Sequence, residues 1–265
     1  MNLFSRQQKS LIGMIHLGAL PGAPRSKLDF EAILAAAVAE AKELAAAGFD
    51  AVLVENMHDR PYLKEGHGPE LAACMAVAVR EVRREVALPC GIQILAAANQ
   101  PALAAALASG ACFIRAEGFA YAHVADEGII DGCAGALLRY RREIGAESVA
   151  VVADIKKKHA SHALTADVGL AETARTAEFL LADAVVVTGT ATGEAVAGGD
   201  LEVVREATTL PVAVGSGASA STVASLLQNA DAVIVGSDLK VDGRWEKSLD
   251  PVRARAFVEA AHSRS

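Results

Sequence analysis

Aromatic side chains make up only 4% of this 265-residue chain, which has a single tryptophan. A core with so few rings must be filled by small and branched aliphatic groups, and alanine-rich helices that pack closely are the architecture this composition favours. Cysteine is scarce as well. Cys74, Cys90, Cys112 and Cys133 show no Cys-x-x-Cys spacing, and no His-x-x-x-His accompanies them. The pattern argues against a zinc knuckle and against a disulfide-stapled secreted fold, and favours reduced, mostly buried thiols in a cytoplasmic protein. Positive charge is in deficit: 25 Lys and Arg stand against 32 Asp and Glu, a formal net charge of −7. A general binder of nucleic-acid backbone needs the opposite balance. Three consecutive lysines beginning at Lys156 do not reverse it.

Long apolar spans are missing too. Residues 86–114 carry no charge, but Pro89, Gln93, Asn99, Gln100 and Pro101 interrupt them. A bilayer core would leave those polar groups without partners, so the stretch reads as two buried strands around a short helix. Residues 11–20, preceded by Arg6 and Lys9, have the outline of a signal peptide. His16 and two glycines within the run make a strand the better reading. No linker-like shift in composition divides the chain, and residues 1–265 read as one domain.

What is present is a repeated grammar. Short β-branched apolar runs occupy residues 11–17, 51–56, 91–95, 112–117, 149–156, 184–189, 211–217 and 232–237, eight in all. Helical patterns follow them, such as residues 30–47, where Asp29 can cap the start and Gly48 can close the end. Strand–helix alternation implies parallel βαβ units, and eight units in about 250 residues match an α/β fold of the (β/α)8 TIM-barrel type. A doubly wound open sheet is the rival.

Function in such a barrel sits where strands end and βα loops begin. Polar residues gather there: His16; Glu55 and Asn56; Gln93; Arg115 and Glu117; Asp154 and Lys156; Thr188. Side chains two apart on a strand share a face, which predicts that Arg115 points with Glu117 and Asp154 with Lys156. The plainer alternative is a set of structural ion pairs closing the barrel mouth.

The seventh apolar run ends in Gly215-Ser216-Gly217 and the eighth in Gly236-Ser237. Two glycine turns after adjacent late strands, one opening a helix, expose backbone N–H groups toward one point, the usual phosphate pocket of phosphate-binding barrels. Gly215-x-Gly217-x-x-Ala220 also meets a loose dinucleotide fingerprint, but six units precede it, and that fingerprint belongs in a first βαβ. No P-loop sequence occurs. The glycine- and threonine-rich residues 188–193 suit a lid or a polar contact to ligand. His16, His58, His67, His123, His159 and His162 all fall at or after strand ends, yet no ligand spacing fixes a metal.

With these residues in view, the chain resembles the BtpA/SgcQ family almost end to end. The resemblance runs through Ile12-Gly13-Met14-Ile15-His16-Leu17, Val54-Glu55-Asn56-Met57-His58-Asp59-Arg60-Pro61-Tyr62 and Phe113-Ile114-Arg115. It continues through Asp126-Glu127-Gly128-Ile129-Ile130, Ala153-Asp154-Ile155-Lys156-Lys157-Lys158-His159-Ala160 and Val235-Gly236-Ser237-Asp238-Leu239-Lys240. It implies a ribulose-phosphate-binding type of TIM barrel. The family takes its name from a photosystem I biogenesis factor, while SgcQ-like members look like sugar-phosphate metabolism proteins.

The resulting expectation is a cytoplasmic barrel that binds a sugar phosphate or related ester and acts on it as an isomerase or lyase. Asp154 or Glu55 would abstract a proton beside a carbonyl, and Lys156 would stabilise the oxyanion or form a Schiff base. Arg115, Glu117 and His16 complete the catalytic candidates. Asn56, Gln93, Thr188 and His159 would contact substrate, and Gly215, Ser216, Gly217, Gly236 and Ser237 would hold phosphate. No cofactor is assigned, and a divalent metal and a homo-oligomer stay open. The alternative is a non-catalytic biogenesis or stability factor for a photosystem or other membrane complex.

Overall fold

Branched aliphatic runs bounded by glycine and proline form the strands. A computed structural model describes residues 3–156, 160–189 and 198–263. Its strands are β1 (Ser10–His16), β2 (Ala51–Glu55), β3 (Cys90–Gln93), β4 (Phe113–Ala116), β5 (His123–Ala125), β6 (Gly128–Ile130), β7 (Ala150–Ile155), β8 (Ala160–Ser161), β9 (Ala184–Val187), β10 (Val212–Val214) and β11 (Ala232–Val235). Eight of them close a parallel barrel in the order β1-β2-β3-β4-β7-β9-β10-β11, sealed where Ser10 pairs with Ala232. Each of the eight expected apolar runs overlaps one of these strands, with β1 and β3 beginning one residue before their runs.

Around the barrel lie α1 (Phe30–Ala47), α2 (Pro69–Glu85), α3 (Asn99–Ser109), α4 (Ala134–Glu143), α5 (Leu170–Phe179), α6 (Gly198–Ala207), α7 (Val223–Asn229) and α8 (Pro251–His262). Helix α1 is capped as its sequence predicts: the Asp29 carboxylate accepts from Ala32 N at 2.7 Å, and Gly48 closes the helix at φ +97°. The uncharged residues 86–114 fold as β3, α3 and β4. No helix among the described residues is long and apolar enough to cross a membrane.

Alternation along the strands fills the barrel in layers. Phe4, Ile12, Met14, Ala51, Leu53, Phe113, Val152, Val186, Ala213 and Ile234 belong to one inner apolar cluster. Phe113 lies edge-on to Phe4, with ring centroids 5.2 Å apart. Its ring occupies the place where a Cβ on Gly91 would sit, 2.2 Å from Phe113 Cζ. A single large ring inside thus requires a neighbour with no side chain. Two residues further along each strand, the same inward positions become polar: His16 after Met14, Glu55 after Leu53, Gln93 after Gly91, Arg115 after Phe113 and Asp154 after Val152. Register sets His16 beside Glu55, and Glu55 beside Gln93.

Strands β5, β6 and β8 form a separate antiparallel sheet, ordered β6-β5-β8, which the sequence reading did not anticipate. Segments of two or three residues carry too little periodicity to register. The β5–β6 hairpin lies in the long connection from β4 to α4 and carries Asp126 and Glu127 in its turn.

Candidate active site

A cavity of about 390 Å³ opens at the C-terminal mouth of the barrel. His16, Glu55, Gln93, Arg115, Glu117 and Asp154 line its floor and walls, and Gly215, Ser216, Gly217, Gly236 and Ser237 line one side. Eleven of the residues expected at the site therefore meet in one space. This is the ligand position that the barrel topology favours.

Arg115 and Asp154 are locked together. Arg115 Nε donates to Asp154 Oδ1 at 2.8 Å, and Nη2 donates to Oδ2 at 3.1 Å. Arg115 Nη1 reaches the Gly215 carbonyl at 3.2 Å. Burial opposes the Arg115 charge, but the carboxylates of Asp154, Glu55 and Glu117 together outweigh it and hold the guanidinium above its ordinary pKa. Both side chains are almost fully buried. With both oxygens committed to the guanidinium, the Asp154 carboxylate holds the mouth in shape. Gly215 has no room for a side chain, because a Cβ there would stand 2.4 Å from Val186 Cγ1 and 2.8 Å from Arg115 Nη2.

Lys156 departs from the expected direction. Its φ of +51° breaks the strand alternation, and it is absent from the main cavity wall. With Asp154 it lines a smaller space of about 20 Å³ beside Tyr121 and His162. Asn56 is also not a cavity residue. Its Oδ1 accepts from Leu95 N at 2.8 Å and its Nδ2 donates to Asp59 at 2.9 Å, so it ties the β2–α2 loop to the β3–α3 loop instead of lining the cavity. Thr188 likewise lies outside the cavity wall, with Oγ1 donating to the Lys156 carbonyl at 3.3 Å. His159 and residues 190–193 of the expected lid lie outside the described residues.

His16 and Glu55 form the second buried constellation. His16 Nε2 stands 3.7 Å from Glu55 Oε2, and Nδ1 lies 3.2 Å from the Trp245 carbonyl. A carbonyl oxygen only accepts, so Nδ1 carries the hydrogen, and the opposite ring nitrogen, Nε2, faces Glu55. Trp245 belongs to the connection between β11 and α8. Arg60 lies over its indole at 4.6 Å and His58 packs 5.2 Å from it. Burial, then the charges of Arg60 and Lys240, hold the His58 pKa below its usual value.

The two glycine turns are laced to each other. Asp238 accepts from Ala220 N at 3.1 Å and from Arg253 at 2.8 Å. Ser216 Oγ accepts from Gly189 N at 3.1 Å. The N–H groups of Gly217, Ala218 and Ser237 take no acceptor among the described residues. Gly217 adopts φ +73°, which favours glycine and turns successive amides toward one side.

Met57, Tyr62, Asp126, Glu127 and Asp238 also line the cavity. The sequence reading gave them no role, because they sit in loops without periodic signal. Trp245, beside His16, was missed for the same reason, although a lone tryptophan is itself a signal. Among the described residues no group of three or more His, Cys, Asp or Glu is arranged to hold a metal ion.

Fold and site together define a TIM barrel with a cavity lined by polar residues at the C-terminal face of its strands. The chain belongs to the BtpA family, whose model matches residues 7–263. It is 46% identical to an uncharacterized mitochondrial protein of Caenorhabditis elegans, over 97% of this chain and 94% of that one. It is 38% identical to the photosystem I biogenesis protein BtpA of Synechocystis, covering 98% of this chain and 91% of the relative. Among solved structures, thiamine phosphate pyrophosphorylase from Pyrococcus furiosus superposes with a TM-score of 0.58 at 14% identity, covering 96% of each chain. That likeness is one of fold.

Proposed function

We propose that this BtpA-family barrel binds a phosphorylated small molecule, a sugar phosphate or related ester, and catalyses proton transfer on it as an isomerase or lyase. One juxtaposition carries the reading. The N–H groups of Gly217, Ala218 and Ser237 border the same cavity as the His16–Glu55 pair. A phosphate anchored on those amides extends its carbon chain over the barrel centre. There the His16 Nε2 lone pair can take a proton from carbon beside a carbonyl, and Glu55 stabilises the imidazolium that forms. Arg115, oriented by Asp154, directs its positive charge toward the same space and steadies a developing oxyanion. Of the expected catalytic residues, this reading gives the proton transfer to His16 and Glu55 and leaves Asp154 and Lys156 out of it. The name of the superposed pyrophosphorylase, which includes a phosphate ester, is consistent with the ligand class.

The test is thermal unfolding with phosphate, sulfate and a panel of sugar phosphates, on the wild type and on Gly236→Val. A Cβ at Gly236 already comes 3.1 Å from His16 Nε2, so valine would crowd the junction of the two half-sites. Ligand at about 100 times its dissociation constant should stabilise the wild type by roughly 2.7 kcal/mol and leave the variant unmoved. Absence of a shift with every phosphate compound, or an equal shift in the variant, rejects the reading.

A second reading follows from the name of the Synechocystis relative: a non-catalytic assembly factor for a membrane complex. It asks for a surface that a partner covers and gives no role to a buried acid–base pair. A His16→Gln variant separates the two. Turnover on the ligand found by the screen should fall by about 10²–10⁴-fold if His16 is the base.

A further inference from the structure

We propose that the ligand ends, away from its phosphate, in a hydrogen-bond donor, and that Gln93 and Tyr62 select that end. The donor is the terminal alcohol of a polyol phosphate, or an N–H in its place, as against a carboxylate or a methyl group. The inference rests on the phosphate reading above and adds the chemistry of the opposite end.

The first observation concerns Gln93, which is 2% exposed at the end of β3 and lines the cavity. Its Nε2 donates to Glu117 Oε1 at 3.1 Å, and Glu117 Oε2 accepts from Ala97 N at 3.2 Å. Both carboxylate oxygens act as acceptors in these bonds, which fixes the end of the Gln93 amide turned toward Glu117 as the nitrogen. Gln93 Oε1 is then buried with no hydrogen-bond partner among the described residues. A buried acceptor left unmade is costly in a folded protein, and its retention in a cavity wall marks a place for a donor. Around the barrel, β3 stands four strands from β10 in either direction. Gln93 therefore lies across the mouth from the turn of Gly215 and Gly217, which follows β10.

The second observation is independent and concerns Tyr62, which lines the same cavity from the loop between β2 and α2. Its Oη donates to the Met57 carbonyl at 2.8 Å. A carbonyl only accepts, so the phenol hydrogen is spent there, and what Oη has left to offer is a lone pair. Burial first, and then the charge of Glu55, push the phenol above its ordinary pKa, which keeps that hydrogen in place. Two side chains on separate segments thus present acceptors and no spare donor of their own from these two atoms. A carboxylate would set acceptor against acceptor, and a methyl group would leave both unmade. A hydroxyl or an N–H answers either one, so the ligand class is defined by the donor and not by its charge.

Titration calorimetry at fixed ionic strength reads the preference on compounds that differ at one carbon. These are glucitol 6-phosphate, its 1-deoxy form, its 1-amino-1-deoxy form and 6-phosphogluconate, which end in an alcohol, a methyl, an amine and a carboxylate. The corresponding four-carbon set covers a shorter reach. The alcohol should bind about tenfold or more tightly than the deoxy compound in at least one set. That pair is equal in charge, so the difference is the donor. The amine should also bind more tightly than the deoxy form, and the acid less tightly than the alcohol. Gln93→Met, close in volume but without the acceptor, should bring the alcohol down toward the deoxy compound, and Tyr62→Phe should close part of the same gap. Equal affinities of alcohol and deoxy compound in both sets overturn the inference, as does an acid that binds as tightly as the alcohol. An amine that binds tightly while those two stay equal reports charge alone and overturns it too. A gap that survives both variants removes Gln93 and Tyr62 from the role. Binding of inorganic phosphate with no end discriminated leaves the phosphate site standing and removes the donor end. Silence from every phosphate compound removes both.

Discussion

Arg115 and Asp154, 39 residues apart in sequence and on adjacent strands β4 and β7, meet through two parallel hydrogen bonds inside the barrel mouth. The guanidinium fork matches the carboxylate, and the remaining nitrogen holds the Gly215 carbonyl, so one ion pair ties three strands together at the height where ligand enters. Removing one partner leaves the other charge buried and unmatched. Asp154→Ala should lower unfolding stability by about 3–5 kcal/mol. Replacing both, as Arg115→Met with Asp154→Leu, should recover part of that loss. Urea denaturation of the single and double variants checks both expectations, and a single variant as stable as wild type would show that the pair is not what shapes the mouth.

Gly91 and Phe113 offer a prediction that does not depend on function. The Phe113 ring fills the barrel axis only because Gly91 has no Cβ, which would sit 2.2 Å from Cζ. Gly91→Ala should destabilise by roughly 1–3 kcal/mol through overpacking. Adding Phe113→Leu to it should relieve much of the cost, a coupling that a double-mutant cycle reads directly. Purely additive losses would contradict the close approach.

Much of this was legible in advance, for a physical reason. Period-two apolar runs and capped amphipathic segments are local signals, so all eight barrel strands were found, and the Asp29 and Gly48 boundaries of α1 were found to the residue. Inward polar positions obeyed the same alternation through His16, Glu55, Gln93, Arg115 and Asp154. Alternation failed at Lys156, where a positive φ ends the strand geometry, and at Asn56, which lies just beyond β2 and turns into the loop. The partner of each side chain was not legible at all. Nothing local says that Asp154 will be gripped by Arg115, or that Trp245 will bring its carbonyl to His16 from 229 residues away.

His58 supplies a pH dependence with a definite sign. Its folded pKa lies below the ordinary histidine value of 6.5, chiefly because burial disfavours the charged ring. The unfolded chain therefore binds the proton more readily, and stability rises with pH through the window below 6.5. The His58 contribution is complete above that value and is lost as pH falls toward the folded pKa. His58→Asn should flatten the slope of stability between about pH 5 and 7 relative to wild type. An unchanged slope, measured by denaturant unfolding at each pH, refutes the assignment to His58.

Trp245 is the only tryptophan in the chain, and its surroundings make it a reporter on the site. The ring centroid lies 6.5 Å from that of His16 and 5.2 Å from that of His58, with Arg60 over its face at 4.6 Å. Its own carbonyl takes the Nδ1 hydrogen of His16. A ligand that engages His16 Nε2 alters the charge of the imidazole, and the indole senses that change through the shared hydrogen bond and through its neighbouring cation. Saturation with the tightest phosphate ester should therefore shift or quench the emission. Trp245→Phe should abolish the signal while calorimetry still registers binding, because phenylalanine keeps the backbone carbonyl that orients His16. Arg60→Gln should weaken the cation–π contact, worth about 0.5–2 kcal/mol, and change the emission of the free protein before any ligand is added. A ligand that stabilises the fold yet leaves Trp245 emission untouched would place its reacting end away from His16, and the base would then have to be sought at the Glu117 side of the cavity.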